Sequence, residues 1–284
     1  MTKTRRDVLA VVGDMHVGST TALCPPTADM DDGGHYKASK AQCWLYQCWC
    51  DYWAQVMAVK PTGGGKRYVV CLGDAMEGDH HATSAVVSAN PATMLQIAGT
   101  VLEPARKWAN HFFMLRGTEA HGGEAGAWDE ILADDLNAER CPDTGRASWW
   151  HIGIEISGVV FDCAHHPPSA PGRVWTRANA AATLAYTVFS EYAEHGQRAP
   201  DVALRGHVHK FADSGHNYPT RGVLCPAWQL ATPYSSRRWP GVLAHIGGLL
   251  FMVEAGEAHM RHIRFAPERS QPWTEAAWYR EETP

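Results

Sequence analysis

Five short apolar runs, each followed by residues that can bind metals, constrain the fold of this chain more than any other feature. In chain order the runs and their ends read VVGDMHVG, VVCLGDAMEG, FFMLRGTEAH, VVFDCAHHPP and VALRGHVHKF. Short apolar runs with such polar ends are typical of buried strands. Because α/β sheets bind ligands at the carboxyl ends of their strands, the sequence predicts one site assembled from several strand ends.

The candidate ligands at these ends are carboxylates and imidazoles. In extended chain, residues two apart point the same way, so Asp14 with His16 and His207 with His209 are two candidate clamps. This donor set, completed by Asp74 and a His of the fourth run, suits borderline divalent metals such as Mn, Fe or Zn. A lone D-x-H or a lone GD turn is weak, and the prediction depends on all five motifs occurring in order.

The remaining pattern predicts an α/β fold. Helices are expected over residues 39–59, 90–110, 124–136 and 176–195, the second with an N-cap and a Pro at its start. Strands alternate with the first three, a hairpin is expected over 150–164, and strands over 243–253 and 259–265 dominate the end. This order predicts two sheets packed face to face with helices outside. We expect one domain over residues 1–266 and a tail or packing arm over 267–284.

Charge and cysteine content disfavour several classes of protein. The net charge of −5 argues against a broad nucleic-acid-coating surface, although a local basic groove stays possible. None of the eight Cys forms a C-x-x-C pair, which disfavours a zinc knuckle. No apolar run approaches the ~18 residues of a membrane span, and the apolar stretch after the N-terminal Arg pair is too short for an export signal. We therefore expect a cytoplasmic protein without membrane partners.

The five motifs together resemble those of the calcineurin-like metallophosphoesterase superfamily, which run D-x-H, G-D, G-N-H-[DE], H and G-H-x-H. The resemblance spans about residues 9 to 210 and implies a four-layer α/β/β/α sandwich of two mixed sheets with a dinuclear metal site at the strand ends. It implies one metal held by Asp14, His16, Asp74 and His209, and a second held by Asp74, His165 and His207. His165 is preferred over His166 because the family often shows H-x-P with the first His as ligand. Manganese is the favoured metal, with Fe, Zn, Ni and Co as alternatives.

The third motif departs from the family pattern. Where the family has Asn and then His after the Gly, this chain has Thr118 and Glu119, with His121 two residues later. One interpretation is a rebuilt motif in which Glu119 or Thr118 completes the second metal site and His121 faces the phosphate. The alternative is that Glu119 caps the helix expected near Gly123, which leaves the second site weaker.

The loop EGDHHATS after the second motif adds two candidates for contact with substrate. In the DNA-repair exonuclease branch of the family a His follows this motif and faces the substrate, a role open to His80 or His81. A solvated loop is the alternative. The long opening loop and the GTEAH variant resemble phosphoesterases encoded by bacteriophages.

These features predict a metal-dependent phosphoesterase that uses a metal-activated water for in-line attack on phosphorus. A phosphodiesterase is favoured over a phosphomonoesterase, and DNA is a candidate substrate that the net charge disfavours. A non-catalytic phosphate-binding protein is the alternative from another class, and the intact clamps argue against it. The oligomeric state is left open by the sequence.

Overall fold

A computed structural model describes residues 4–78, 84–169 and 176–269 of the chain. The described residues form thirteen strands and six α-helices. The strands are β1 Arg6–Val12, β2 Thr27–Asp29, β3 His35–Lys37, β4 Arg67–Cys71, β5 His111–Leu115, β6 Ser148–Trp149, β7 His151–Ile156, β8 Val159–Ala164, β9 Val202–Arg205, β10 Ala212–Asp213, β11 Arg221–Leu224, β12 Ile246–Glu254 and β13 Glu257–Phe265. The helices are α1 Lys40–Ala58, α2 Pro91–Trp108, α3 Glu119–Gly122, α4 Ala127–Asp135, α5 Arg177–Glu194 and α6 Pro233–Arg238.

Two mixed sheets form the centre of the molecule. One has six strands in the order β13-β12-β1-β4-β5-β6, and the other has five in the order β10-β11-β9-β8-β7. The strands β1, β4, β5 and β6 run parallel to one another, as do β8, β9 and β11. The parallel strands of each sheet therefore end at a common edge. The mixed α/β architecture expected from the sequence is confirmed.

The two sheets pack face to face through an apolar layer that includes Leu9, Val70, Phe161, Leu204 and Phe251. Their other faces are covered by helices: α1, α2 and α4 pack on the six-stranded sheet, and α5 packs on the five-stranded one. The central strand β1 is almost wholly buried because it has a layer on each side, whereas the edge strand β7 alternates between exposed and buried residues. The layers thus follow the order α/β/β/α.

Helix starts follow the signals in the sequence. Ser39 and Gln42 form a capping box at the start of α1. The Asn90 side chain accepts a hydrogen bond from the Ala92 N–H, with Pro91 as the first helical residue of α2. The predicted helix over 124–136 begins later, because a 3-10 turn with Ala125 at φ 53° precedes α4. The predicted loop over 19–36 contains most of the short β2–β3 hairpin.

Among the described residues, none of the helices combines the length and the apolarity needed to cross a bilayer. The predicted tail over 267–284 lies mostly outside the described residues, and the division into a domain and a tail stays a prediction.

Candidate metal centre

The loops after β1, β4, β5, β8 and β9 meet where the parallel strands of the two sheets end. There, imidazole nitrogens and carboxylate oxygens come together in four overlapping groups, and within each group the atoms lie within 4.8 Å of one another. The groups are Asp14 with His16 and His209, His16 with Asp74 and His121, Asp14 with Asp74 and His165, and His165 with His166 and His207. Every carboxylate and imidazole that the sequence predicts at these strand ends, except Glu119, is in this cluster.

The first group lies on the side of β1. The Nε2 atoms of His16 and His209 are 2.9 Å apart, and His209 Nε2 lies 3.3 Å from Asp14 Oδ1. Asp14 and His16 are buried, and the His209 side chain is 30 % exposed. Two imidazole nitrogens and a carboxylate oxygen thus face one small space, which is the arrangement of a metal ligand set.

The second group lies on the side of β8 and β9, around the hydroxyl of Thr118. Thr118 Oγ1 is 3.3 Å from His165 Nε2, 3.4 Å from His166 Nε2 and 3.4 Å from His207 Nδ1. His165 is buried, whereas His166 and His207 are exposed. The solvent-facing side of the centre is therefore formed by these two imidazoles.

Asp74 lies between the two groups. Its Oδ2 is 3.0 Å from His165 Nε2 and 3.9 Å from His16 Nε2, and its Oδ1 accepts a hydrogen bond of 2.7 Å from the Thr118 N–H. Asp14 is also shared, because it belongs to one group with His209 and to another with His165. Asp74 and Asp14 are thus each shared between neighbouring ligand groups.

The backbone at the centre adopts a conformation that most residues avoid. Asp14, His16, Asp74, His207 and His209 have φ between 45° and 69°, in the left-handed region. Only nine non-glycine residues of the described chain have positive φ, and these candidate ligands are five of them. Such strain concentrates at functional sites. It also corrects the sequence-based prediction, because neither clamp is extended chain.

Two glycines make this crowding possible. A Cβ on Gly73, whose φ is +94°, would lie 2.8 Å from the Gly117 Cα and 2.8 Å from His165 Nδ1. A Cβ on Gly117 would lie 2.1 Å from Asp74 Oδ1. The Gly before Asp74 and the Gly before Thr118 are therefore required by the close approach of the two loops.

Three of the histidines are held by their Nδ1 atoms. His165 Nδ1 donates to the Leu72 carbonyl at 2.7 Å, and His121 Nδ1 donates to the Glu77 carbonyl at 2.5 Å. His16 Nδ1 is 2.8 Å from the Glu77 carboxylate, which also accepts a hydrogen bond from Gln229. Anchoring of one ring nitrogen by a carbonyl or carboxylate is typical of metal-binding histidines, whose other nitrogen binds the ion. The donor set and its support therefore fit divalent metal ions.

The charges of the centre also fit a site for cations. Burial opposes ionisation of Asp14, but the neighbouring His209 and His165 outweigh it and hold the pKa of Asp14 below its usual value. Burial also opposes protonation of His165, yet its hydrogen bond to Asp74 raises the pKa of His165 to about 9. Burial and repulsion from His165 and His166 lower the pKa of His207 to about 4. Two buried carboxylates thus need a compensating positive charge, which protons or a metal can supply.

The third motif is placed differently from the first interpretation. Glu119 is exposed, begins α3 and belongs to none of the ligand groups found among the described residues. Thr118, not Glu119, is the residue of this motif whose side chain reaches the second group. His121 is half-buried, and its ring lies edge-on to His16 with centroids 4.5 Å apart. His80 and His81 lie outside the described residues.

Two supporting residues were missed by the sequence analysis. Gln229 contacts Glu77 and comes from a loop without a recognisable motif. Asp129 is fully buried in α4, and its Oδ2 accepts the Gly117 N–H at 2.9 Å. Burial raises the pKa of Asp129 to about 7. A signal existed for Asp129, because helical spacing puts it on the same face as the buried Leu132, Ala133 and Leu136.

The chain matches no protein-family model and no curated protein. Solved structures give weak similarity. A Vps29 single mutant from Entamoeba histolytica is 13% identical with a TM-score of 0.39, and the match covers 91% of this chain and 99% of that one. A dimetal phosphatase from Danio rerio is 8% identical with a TM-score of 0.44, covering 92% and 99%. A hypothetical protein from Pyrococcus horikoshii is 10% identical with a TM-score of 0.45, covering 92% and 89%. Similarity at this level assigns neither a family nor an activity to the chain.

Proposed function

We propose that this protein is a metal-dependent phosphoesterase that hydrolyses phosphodiesters. The observation that carries the proposal is the pair of ligand groups joined by Asp74 at the strand ends of two sheets. Two divalent ions bound by adjacent ligand groups would be typical of enzymes that cleave phosphate esters by in-line displacement. The motif order, which resembles that of calcineurin-like metallophosphoesterases, supports the same reaction class.

The chain offers a separate ligand set for each of two ions. Asp14, His16 and His209 would hold one, and His165 and His207 the other, with Asp74 shared between them. His166 and the Thr118 hydroxyl extend the second set. When bound, such ions polarise the phosphoryl group and lower the pKa of a water for attack on phosphorus. We expect manganese, and Fe, Zn, Ni and Co are the alternatives to compare.

The protein itself orients substrate and handles protons. Asp14, Asp74 and His165 form the buried floor, whereas His166 and His207 face solvent, so substrate approaches from their side. Because His121 Nδ1 donates to the Glu77 carbonyl, a contact with substrate would be made through Nε2. There His121 is positioned to meet a phosphate oxygen or to exchange a proton with the ester oxygen.

DNA is the diester that one surface feature favours. Arg237 and Arg238 are exposed on α6, together with Tyr234 and Trp239, whose rings lie 6.5 Å apart. Cations beside aromatic rings suit a single strand, through phosphate contacts and base stacking. The loop before α6 contacts the centre, since the Trp228 N–H donates to the Asp14 carbonyl. A nuclease of the DNA-repair type is thus the specific form that we propose to test, and the net charge of −5 weighs against it.

The test compares hydrolysis of bis-p-nitrophenyl phosphate and p-nitrophenyl phosphate by metal-free protein supplied with each metal in turn. We expect turnover of the diester with Mn²⁺, loss of turnover with a chelator, and almost none in Asp74→Asn. Nicking and resection of single- and double-stranded DNA are then measured with the same variant as control. A preference for the monoester would instead make the protein a phosphomonoesterase. Phosphate binding without turnover under any metal would make it a non-catalytic binding protein.

A further inference from the structure

A cavity lies beside the candidate centre, between α5 and the ends of β8 and β9. Its volume is about 340 Å³. This is at the lower end of the range of roughly 300–1,000 Å³ that small-molecule sites occupy. Its walls include Pro167, Pro168, Val188 and Tyr192. Val188 is buried and Tyr192 is half-buried, and with the two prolines they make the walls largely apolar.

The charges on the floor of this cavity neutralise one another. The buried guanidinium of Arg205 donates to Asp162 Oδ1 at 2.6 Å and also to the main-chain carbonyls of Asp162 and Leu204. The other carboxylate oxygen of Asp162 is 2.5 Å from His151 Nε2. Among the described lining residues, Arg205 is the one Lys or Arg, and its charge is already compensated. The exposed Glu191 also lines the cavity, so the cavity is unsuited to a phosphate, and its neutralised floor is suited to an uncharged group.

His166 connects the cavity to the candidate centre. His166 lines the cavity and also belongs to the ligand group with His165 and His207. The His166 and His207 rings have their centroids 4.5 Å apart. A substrate whose phosphorus lies at the centre can therefore place one ester substituent in the cavity without leaving the surface of His166.

We propose that this cavity, which we call the His166 cavity, binds an uncharged planar ring carried by one ester oxygen of the phosphodiester. This inference rests on the proposed function, since it names the part of the substrate that lies beside the phosphate. Apolar walls that include an imidazole and a phenol ring are suited to stack on a nucleobase or on an aryl group. Both rings share this chemistry, and a direct comparison separates them.

The first experiment measures binding to the metal-free full-length protein by ligand-observed NMR. The probes are adenosine, which carries a neutral heteroaromatic ring, and benzyl alcohol, which carries a neutral aryl ring, with ribose as the control that lacks an aromatic ring. Thr187→Trp fills the cavity, because Thr187 lines it and is half-buried on α5. Tyr186→Trp is the matched control, because Tyr186 is the next residue on α5 and its side chain is 63% exposed.

We expect a ring probe to bind wild type and Tyr186→Trp alike, and Thr187→Trp to weaken that binding about tenfold or more. Tyr192→Ala, which removes one wall, should weaken it as well and serves as a second variant if the first fails to fold. Stronger binding of adenosine assigns the cavity to a nucleobase, and stronger binding of benzyl alcohol assigns it to an aryl ester. Equal binding to all variants, or no ring binding to wild type, overturns the proposal.

Kinetics separate this proposal from the proposed function. For methyl p-nitrophenyl phosphate and phenyl p-nitrophenyl phosphate, the ratio of kcat/KM should favour the phenyl ester in wild type and fall in Thr187→Trp. A ratio that does not change in Thr187→Trp contradicts a ring site for substrate. If neither diester is hydrolysed with any metal while ring binding still depends on Thr187, the proposed function fails and the ring site stands.

Discussion

The two ends of β1 each bury an aspartate, and the two environments differ in kind. Asp7 and Asp14 are both inaccessible to solvent. Asp7 accepts hydrogen bonds from the Arg5 guanidinium, the Lys66 N–H and the Ser157 hydroxyl. Asp14 accepts the His207 N–H and faces the imidazole of His209. Asp7 thus has a permanent cation as partner, whereas Asp14 has partners whose charge depends on protons or metals.

The backbone conformation also differs between the two aspartates. Asp7 lies inside the strand, while Asp14 has φ 52° just beyond its end. From this comparison we propose that Asp7, with a permanent cation as partner, stabilises the fold, and that Asp14, with exchangeable partners on strained backbone, binds a ligand. Each prediction below tests this division between the amino end and the carboxyl end of the strand.

The largest expected effect is on catalysis at the carboxyl end. Asp14→Asn should lower kcat/KM for a phosphodiester about 10³-fold, or about 4 kcal/mol of barrier. The metal-free variant should be somewhat less stable than metal-free wild type, because Asn still accepts the His207 N–H but loses the attraction to His209 and His165 that holds the pKa of Asp14 below its usual value. Activity assays and thermal unfolding measure the two quantities. Near-normal turnover by Asp14→Asn would contradict a catalytic role for Asp14 and with it the proposed difference between the two aspartates.

The next effect concerns the two histidines after β9. His209 faces Asp14 and His16, whereas His207 faces His165 and His166. His209→Ala and His207→Ala should therefore each reduce turnover at least about 10²-fold and lose different ions, because a direct ligand is removed from one set. Metal content after dialysis and the affinity of each variant for Mn²⁺ are the measurements. Identical full occupancy in both variants would contradict two separate ligand sets.

At the amino end, the expected effect is on stability. Asp7→Asn should lower the free energy of unfolding by roughly 1–3 kcal/mol at neutral pH, because it weakens the contacts with Arg5 and Lys66. Metal binding and diesterase activity should stay within about twofold of wild type, because Asp7 is at the opposite end of β1 from the ligands. A large loss of activity in a folded Asp7→Asn protein would contradict the proposal that Asp7 stabilises the fold without taking part in catalysis.

The stability of Asp7→Asn relative to wild type should also depend on pH. Burial would raise the pKa of Asp7, but the hydrogen bonds from Arg5, Ser157 and the Lys66 N–H hold it below its usual value. A lowered pKa in the folded state stabilises the protein above the unfolded value of about 4, and this stability is lost as pH falls through the folded value. The stability difference between wild type and Asp7→Asn should thus be constant above about pH 5 and shrink in more acid solution. Urea unfolding across this range measures it.

The smallest effect is expected in the third motif. Thr118→Val removes the hydroxyl beside the second ligand group and should weaken binding of one ion by at most about tenfold. Glu119→Gln should change metal affinity and the pH–rate profile by less than about twofold, because Glu119 is exposed. Metal titrations and pH–rate curves decide between the two residues. A marked loss of affinity in Glu119→Gln would restore the prediction that this carboxylate is a ligand.

The sequence predicted the layers and most of the cluster for a simple physical reason. Buried strands are apolar because both faces are covered, so a polar residue that ends such a run is conspicuous, and parallel strands gather these ends at one edge. The local turn was not predictable. The chain enters α3 at Glu119, which turns that carboxylate outward and leaves Thr118 beside the imidazoles.

The backbone conformation of the loops that carry the candidate ligands could not be predicted from the sequence either. Nothing in D-x-H or H-x-H distinguishes extended chain from the left-handed values at Asp14 and His207, since these depend on close packing with other loops. Gln229 was equally hidden, because its place beside Glu77 depends on tertiary packing of a loop that has no motif.

The candidate ligands are divided between the two sheets, and this has a mechanical consequence. Asp14, His16 and Asp74 follow strands of the six-stranded sheet, whereas His165, His207 and His209 follow strands of the five-stranded one. The apolar layer between the sheets is held by contacts that have no fixed direction, whereas metal–ligand bonds have one. Ions bound here would join the two sheets at this edge through bonds of fixed direction to side chains from both. Since such ions bind the folded chain, their occupancy would stabilise the packing of the two sheets against each other.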